Sequence, residues 1–243
     1  MNQDQQRFDK LLSFNKRIKT RYLHVLAAQK IFNEFNKLST ESIVGKAGAK
    51  NNVNIFNKYK YFILISKESL RCFFLIELAK FFDEDKREQN LSIRKILNFA
   101  HAKVESFSVD QFQIHHKDRK IIPELFANFK ALTKKDLDKI DKRLKDNKEK
   151  IKKIKDYRDQ YLAHDDIKKD NILIEKRDAN TLMEIIEDTI ELLFHKLDFS
   201  STSYDNYKKE PVKDINRLIK DLKNHEKLRI LTFERKYGVK IKI

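Results

Sequence analysis

Apolar residues recur at three- and four-residue steps along most of this chain, which is the spacing of amphipathic α-helices. Residues 4–38 follow the rule throughout and are predicted to form a long first helix. Residues 54–82 are apolar around most of their circumference, so we predict a second helix there, at the buried centre of the fold. Gly45 and Gly48 lie between the two segments and are predicted to separate the helices.

Capping residues predict shorter helices in the middle of the chain. The acidic and polar residues 83–90 are expected to end the second helix. Ser92 can accept a hydrogen bond from a backbone N–H group at the start of a helix over residues 93–104. A polar loop should follow, and Pro123 can open a helix over residues 124–132, because proline is favoured in the first helical turn.

A long basic helix and a partner helix are predicted next. Thr133 is a good N-cap, and the apolar residues after it keep a near-heptad spacing until the helix ends near His164. The polar residues 165–171 are expected to form a loop. Residues 179–197 are again amphipathic, and this helix should pack antiparallel against its predecessor.

The composition changes near the C-terminus. A Ser- and Thr-rich turn at residues 200–203 is followed by Pro211, which is predicted to open a last basic helix over residues 212–235. We therefore predict a helical bundle over residues 1–199 and a basic helical appendage over residues 200–243.

The overall composition predicts an all-α protein. The 243 residues include only three glycines and two prolines, so turns should be few and helices long. The single cysteine excludes an intramolecular disulfide. No apolar run approaches the roughly 20 residues that span a bilayer, and the N-terminal residues lack a signal-peptide pattern. A cytoplasmic protein without a membrane partner is expected.

The charge balance points to polyanions without naming one. The chain has 53 Lys and Arg residues against 37 Asp and Glu residues, a formal net charge of +16. RNA, DNA or an acidic protein could bind to this excess of positive charge. The alternative is that the lysines reflect an AT-rich genome and are simply solvated. Glycine-rich phosphate loops, HExxH motifs and serine nucleophile elbows are absent from the sequence, which excludes the enzyme classes that depend on them.

One segment combines residues that can carry out chemistry, the string YRDQYLAHDD at residues 157–166. In it, Arg158 and Asp159 precede His164. An arginine, a polar residue directly after it and a histidine four to six residues later form the motif of the HEPN superfamily. The ending Tyr-Leu-Ala-His-Asp resembles the abortive-infection AbiU-type branch. The upstream segment 58–97 also resembles that branch, with a strongly apolar helix, an Asp-containing turn and then Leu-Ser-Ile.

This resemblance covers about residues 54–197 and implies a HEPN-like antiparallel helical bundle with additional N- and C-terminal helices. It also implies an endoribonuclease of a prokaryotic toxin–antitoxin or abortive-infection (antiphage) system that needs neither metal nor cofactor. Such proteins typically build a composite cleft from two protomers, so a symmetric homodimer is expected. RNA would be the substrate, and a cognate antitoxin, such as a nucleotidyltransferase, would be a further partner.

The motif residues fit the chemistry of RNA cleavage. His164 can transfer protons near neutral pH, since the unperturbed pKa of a histidine is about 6.5. Arg158 offers a fixed fork of donors for phosphate oxygens, and Asp159 can orient Arg158 or His164. These three residues are the expected catalytic group. Substrate-binding residues are expected on the same stretch at Lys155, Tyr157 and Tyr161.

Helix geometry sets a condition on this site. At about 100° per residue, six residues place Arg158 and His164 well apart around an ideal helix. Either the helix distorts near His164, or two copies of the motif meet across a dimer axis, and the resemblance implies the second. A place near a helix C-terminus, beside Asp165 and Asp166, favours the protonated imidazole and suits a general acid.

Two other functions remain open from the sequence. A non-catalytic RNA- or nucleotide-binding HEPN module would use its basic helices for affinity and Arg158 to hold phosphate without turnover. A protein-interaction component, such as an antitoxin or scaffold, would use its positive charge to meet an acidic partner. A purely structural interpretation also remains, in which Arg158 and Asp159 form solvent-facing pairs on the helix and His164 is an ordinary residue at a helix end.

Overall fold

The computed structural model describes residues 2–84, 90–117, 129–163 and 172–240. Within these ranges the chain contains no β-strand, which confirms the all-α class. The α-helices are α1 (Gln3–Leu38), α2 (Glu41–Lys58), α3 (Lys60–Lys80), α4 (Ile93–Ala102), α5 (Val109–His115), α6 (Lys134–Asp146), α7 (Lys148–Tyr157), α8 (Lys176–Leu197) and α9 (Tyr204–Tyr237). A 3₁₀ helix (Val104–Phe107) precedes α5, and a π-helix (Arg158–Ala163) follows α7.

The first helix is confirmed, since α1 covers the predicted residues 4–38. Its apolar stripe faces a core in which Phe8 and Leu11 are fully buried. Asn15 lies among these side chains and donates a hydrogen bond from Nδ2 to the carbonyl oxygen of Ile190 at 3.1 Å. The buried amino group of Asn15 is therefore paired, as buried polar groups usually are.

The second helix, predicted over residues 54–82, is wrong in two respects. The chain forms two helices there, α2 and α3, which separate at Tyr59. Gly45 interrupts the helical backbone as predicted, but inside α2, with a φ of 74° that glycine adopts without a Cβ clash. Most of the first half of α3 is also exposed, since Tyr61 and Phe62 are 77% and 60% exposed and only Ile63 is buried there.

The elements between α3 and α6 follow the prediction only at their start. Ser92 caps α4 as predicted, because its Oγ accepts a hydrogen bond from the backbone N–H of Lys95 at 3.2 Å. The polar loop predicted after α4 is wrong over residues 104–115, where the 3₁₀ helix and α5 lie, and its residues from 118 onwards lie outside the described residues. Residues 129–132 are not helical, so the helix predicted over residues 124–132 is wrong in its described part. Its first residues, with Pro123, lie outside the described residues.

The long basic helix begins as predicted but does not run unbroken. Thr133 and Asp136 form a capping box, in which each side chain accepts a hydrogen bond from the backbone N–H of the other residue. The helix breaks at Asn147, where φ is −112° and ψ is 20°. The chain then continues through α7 into the π-helix, which carries the first residues of the motif.

The helix α8 packs antiparallel against α6 and α7, which confirms the predicted pairing. Three ion pairs link these helices, Asp136 with Lys196 at 3.6 Å, Arg143 with Asp188, and Lys153 with Asp178 at 3.5 Å. As the partners ascend along α6 and α7, they descend along α8. The helices must therefore run in opposite directions.

The last helix begins earlier than predicted. α9 starts at Tyr204 and includes Pro211 in its interior, so the prediction that Pro211 opens the helix is wrong. A proline inside a helix lacks the N–H donor and costs about 3 kcal/mol. Tyr204, in the first turn, is only 5% exposed, and its burial offsets part of that cost.

The chain forms two compact units, and each has an apolar core. The first unit comprises Met1–Val25 and Phe74–Ser203, and the second comprises Leu26–Phe73 and Tyr204–Ile243. Fully buried side chains of the first unit include Phe8, Ile18, Phe81, Ile93, Leu137 and Leu193. Phe35, Ile63, Ile215 and Ile219 form a buried cluster in the second. The predicted division into residues 1–199 and 200–243 stays a prediction.

No helix within the described ranges is both long enough and apolar enough to cross a membrane.

Candidate functional site

The helix changes its hydrogen-bonding register at the first residue of the motif. α7 ends at Tyr157, and the next six residues form a π-helix that starts at Arg158. The backbone N–H of Arg158 is shared between the carbonyl oxygens of Ile154 and Lys155. π-Helical turns are rare and occur mostly at functional sites. The sequence left two ways for Arg158 and His164 to act at one site, either a distortion of this helix or the meeting of two motif copies across a dimer axis. The π-helix is a distortion of the first kind.

Two carboxylates hold the guanidinium of Arg158 in place. Its Nη1 donates a hydrogen bond to Oδ1 of Asp83 at 2.8 Å, and its Nε donates to Oδ1 of Asp159 at 2.7 Å. The arginine side chain is 16% exposed. No acceptor within the described ranges pairs with Nη2. The guanidinium is thus fixed along one edge, while Nη2 can donate to a further anion.

The electrostatic environment keeps Arg158 charged. Partial burial alone would lower the pKa of the Arg158 guanidinium, but the hydrogen bonds and charges of Asp159 and Asp83 outweigh it and raise the pKa above its usual value. Asp83 is 17% exposed and Asp159 is 54% exposed, so the pair with Asp83 is the better shielded one. Arg158 therefore acts as a permanent, positioned cation.

Asp83 is a site residue that the sequence did not single out, because its acidic stretch was interpreted as the end of a helix and as the Asp-containing turn of the family resemblance, without a site role. The aspartate directly follows Phe81 and Phe82, both of which are buried. A charged residue next to two buried aromatic residues must find a partner, since an unpaired buried charge is costly. That neighbourhood was the available signal, but it does not name Arg158 as the partner.

The expected substrate-binding residues lie on the same helical stretch. The rings of Tyr157 and Tyr161 stack on each other, with centroids 4.9 Å apart and an angle of 10° between the ring planes. Lys155 and Asp83 line one groove. The structure thus brings Lys155 close to the anchor of Arg158 and pairs the two tyrosines with each other. Their binding of substrate stays a prediction.

The structure unites two of the three expected catalytic residues. Arg158 and Asp159 are in direct contact, and this contact is one of the two that were expected of Asp159. His164 and the predicted loop 165–171 lie outside the described residues. The catalytic roles of all three residues stay predictions.

One group in the described part of the chain has the residue types of a metal site. Nε2 of His101 lies 2.7 Å from Oδ2 of Asp141 and 4.0 Å from Oδ1 of Asp138. Arg94 donates to the other oxygen of Asp141 at 2.5 Å. The arginine balances part of the negative charge, as in an ion-pair network between α4 and α6. None of these residues belongs to the motif.

Comparisons with known proteins identify the family of the chain. No curated protein matches it, and no solved structure does. A family model described as AbiU2, of the HEPN type, matches residues 25–218, which is more than half of the chain and includes Asp83 and the motif. The anchored arginine at a helix distortion thus lies within the matched region. The chain belongs to the AbiU2 family of abortive-infection HEPN proteins.

Proposed function

We propose that this protein is an endoribonuclease of a prokaryotic toxin–antitoxin or abortive-infection system, and that it cleaves RNA without a metal ion. The observation that carries the proposal is the anchored Arg158. Two carboxylates fix its guanidinium, and Nη2 has no acceptor among the described residues. A preorganised donor aimed at developing negative charge is the usual means of stabilising a phosphorane-like transition state.

The proposed reaction is attack by the ribose 2′-oxygen on the neighbouring phosphorus. The bond from phosphorus to the 5′-oxygen breaks, which leaves a 2′,3′-cyclic phosphate on one product and a 5′-hydroxyl on the other. Arg158 donates to a non-bridging oxygen as its charge grows, and His164 gives a proton to the leaving oxygen. In a homodimer a second His164 is present and can accept the proton of the 2′-hydroxyl. We therefore include the homodimer in the proposal.

The experiment is cleavage of a pool of transfer and messenger RNA in EDTA. We expect cleavage by the unchanged protein and loss of at least about 100-fold in the Arg158→Ala and His164→Ala variants. Arg217→Ala is the matched control, because Arg217 is 72% exposed and its carboxylate partner lies 3.8 Å away. Cleavage that survives both motif substitutions would place the active site elsewhere.

A second candidate function is a non-catalytic module that binds RNA or a nucleotide. It is favoured by the same anchored Arg158, since a fixed guanidinium whose Nη2 has no acceptor among the described residues can hold a phosphate without turnover. Such a module would bind RNA equally well after His164→Ala, and the folded dimer would cut no RNA. An antitoxin, such as a nucleotidyltransferase, belongs to the first proposal only. If an inhibitor co-purifies with the protein and its removal restores RNA cleavage, the endoribonuclease is favoured.

A further inference from the structure

A groove of about 420 Å³ lies beside the anchor of Arg158, between the residues that follow α3 and the outer face of α6 and α7. Four lysines line it, Lys145, Lys148, Lys152 and Lys155, and we call it the lysine groove. We propose that the lysine groove binds the phosphates of a single-stranded RNA segment next to the bond that is cleaved. This inference rests on the proposed function, because it names where the substrate approaches Arg158.

The four lysines lie on one face of the helices. Lys148, Lys152 and Lys155 are separated by four and three residues on α7, which is the repeat of a single helical face, and Lys145 lies on α6 just before the break. From Lys145 to Lys155 the rise is about 15 Å at 1.5 Å per residue. That length corresponds to about four nucleotides of a stacked strand at 3.4 Å each. The break at Asn147 falls within this stretch and bends the row.

The lysines that line the groove differ from the other lysines of α7 in whether their ammonium groups have a side-chain partner. No carboxylate in the described ranges forms an ion pair with any of the four. Two lysines of α7 outside the groove are paired, since Lys150 donates to Oδ1 of Asn147 at 3.1 Å and Lys153 donates to Oδ2 of Asp178 at 3.5 Å. All four lysines that line the groove therefore lack a carboxylate partner among the described residues.

The remaining lining fits a nucleotide better than a bare anion. Leu144 and Ile151 supply an apolar floor, on which a nucleobase can lie. The volume is within the range of about 300–1,000 Å³ that is usual for ligand sites. Asp83, Glu84 and Asp156 also line the groove, and Asp83 is neutralised by Arg158. The four lysines thus outnumber the other two carboxylates.

The groove leads directly to the candidate active site. Asp83 both lines the groove and holds Nη1 of Arg158, and Lys155 precedes Arg158 by three residues on the same helical stretch. In the proposed arrangement, a strand whose phosphates follow the lysines passes Lys155 and meets Arg158 with its next phosphate. The lysines would position the RNA, while Arg158 would touch the reacting phosphate.

The test measures binding of a fluorescein-labelled 12-nucleotide single-stranded RNA by anisotropy, with the full chain carrying His164→Ala so that RNA is not consumed. We compare the double variant Lys148→Gln/Lys152→Gln with Lys139→Gln/Lys142→Gln. The second variant removes the same charge from exposed positions of α6 outside the groove. Thermal melting of each variant checks that it is folded.

We expect the groove variant to make the negative slope of log K against log salt shallower by about 1.4, since each phosphate contact to a single strand contributes about −0.7. The control variant should change the slope by much less. Equal changes in both variants would overturn the inference in favour of diffuse attraction. Binding of a duplex of equal length, as tight and as dependent on Lys148 and Lys152, would overturn the assignment to a single strand.

Cleavage by the protein with an intact His164 separates the inference from the proposed function. Lys148→Gln/Lys152→Gln should raise KM several-fold with little change in kcat, because the lysines contact RNA away from the reacting phosphate. Cleavage that is indifferent to this variant would overturn the groove while the ribonuclease stands. Groove-dependent binding without any cleavage would support the groove while the ribonuclease proposal fails.

Discussion

Arg158 and Asp83 are separated by 75 positions in the sequence, yet Nη1 of the arginine donates to Oδ1 of the aspartate at 2.8 Å. Their side chains are only 16% and 17% exposed. The pair connects the residues after α3 to the first residue of the π-helix. It fixes the direction in which the guanidinium points and thus the place where an anion can meet it.

Removing the carboxylate of Asp83 should destabilise the protein. Asp83→Ala leaves a partly buried arginine with one partner fewer, and the loss of a hydrogen bond to a charged group costs about 1.5–3 kcal/mol in free energy of unfolding. Urea unfolding measures this loss. RNA cleavage should fall as well, because Arg158 is less well fixed.

Asp159→Ala is the control for that prediction. Asp159 is 54% exposed, so its ion pair with Arg158 should contribute less than about 1 kcal/mol. Equal losses of stability in the two variants would show that Asp83 is not the main anchor of Arg158.

Arg158→Lys should lose most of its activity in the cleavage assay, although less than Arg158→Ala. Lysine keeps the charge but has no fork, so it cannot bind both Asp83 and Asp159 and still donate to phosphate. We expect cleavage to fall at least about 10-fold, with RNA binding less affected. A fully active Arg158→Lys variant would mean that a positive charge alone suffices there.

The stability of the second unit should depend on pH through Glu226. Hydrogen bonds from Lys58 at 2.6 Å and from Arg229 at 3.1 Å, which outweigh the opposing effect of burial, lower the pKa of Glu226 to about 2 from a usual value of 4.5. The folded state therefore binds this proton less readily than the unfolded chain. The resulting stabilisation is fully present above about pH 4.5 and is lost as the pH falls towards 2.

Urea unfolding between pH 6 and pH 2.5 measures this dependence. Glu226→Gln should be less stable than the unchanged protein near neutral pH, and the difference should shrink as the pH falls. A difference that stays constant over the whole range would rule out the assigned role of Glu226.

The two ends of α3 should respond differently to loss of an aromatic ring nearby. Phe81, just after the helix, is fully buried, so Phe81→Ala should cost about 3–5 kcal/mol in free energy of unfolding. Phe62, near its start, is 60% exposed, so Phe62→Ala should change stability by less than about 0.5 kcal/mol. Urea unfolding measures both changes. Comparable losses of stability in the two variants would contradict the difference in burial between Phe81 and Phe62.

The sequence predicted those parts of the fold that have a local signal. The all-α class, α1 and α8 follow from apolar periodicity, and the starts of α4 and α6 follow from the capping residues Ser92 and Thr133. The exposed start of α3 was mispredicted, because apolar residues around a whole helix usually indicate burial. Pro211 was mispredicted, because a favourable start position for proline does not exclude an interior one that packing compensates.

The candidate site was predictable in its motif and not in its anchor. Arg158 and Asp159 are adjacent in sequence, so their contact is a local matter. The pair of Arg158 with Asp83 depends on how α3 and α7 come together, which no local pattern describes. The π-helix was not predictable either, because side-chain periodicity does not report which carbonyl oxygen each N–H group binds.

The chemical ends of RNA cut in EDTA test the central claim most directly. We predict a 2′,3′-cyclic phosphate and a 5′-hydroxyl, formed by the unchanged protein and absent after His164→Ala or Arg158→Ala. Ends with a 3′-hydroxyl and a 5′-phosphate, formed only after a divalent metal ion is restored, would contradict it. That result would direct attention to His101, Asp138 and Asp141 in place of the motif.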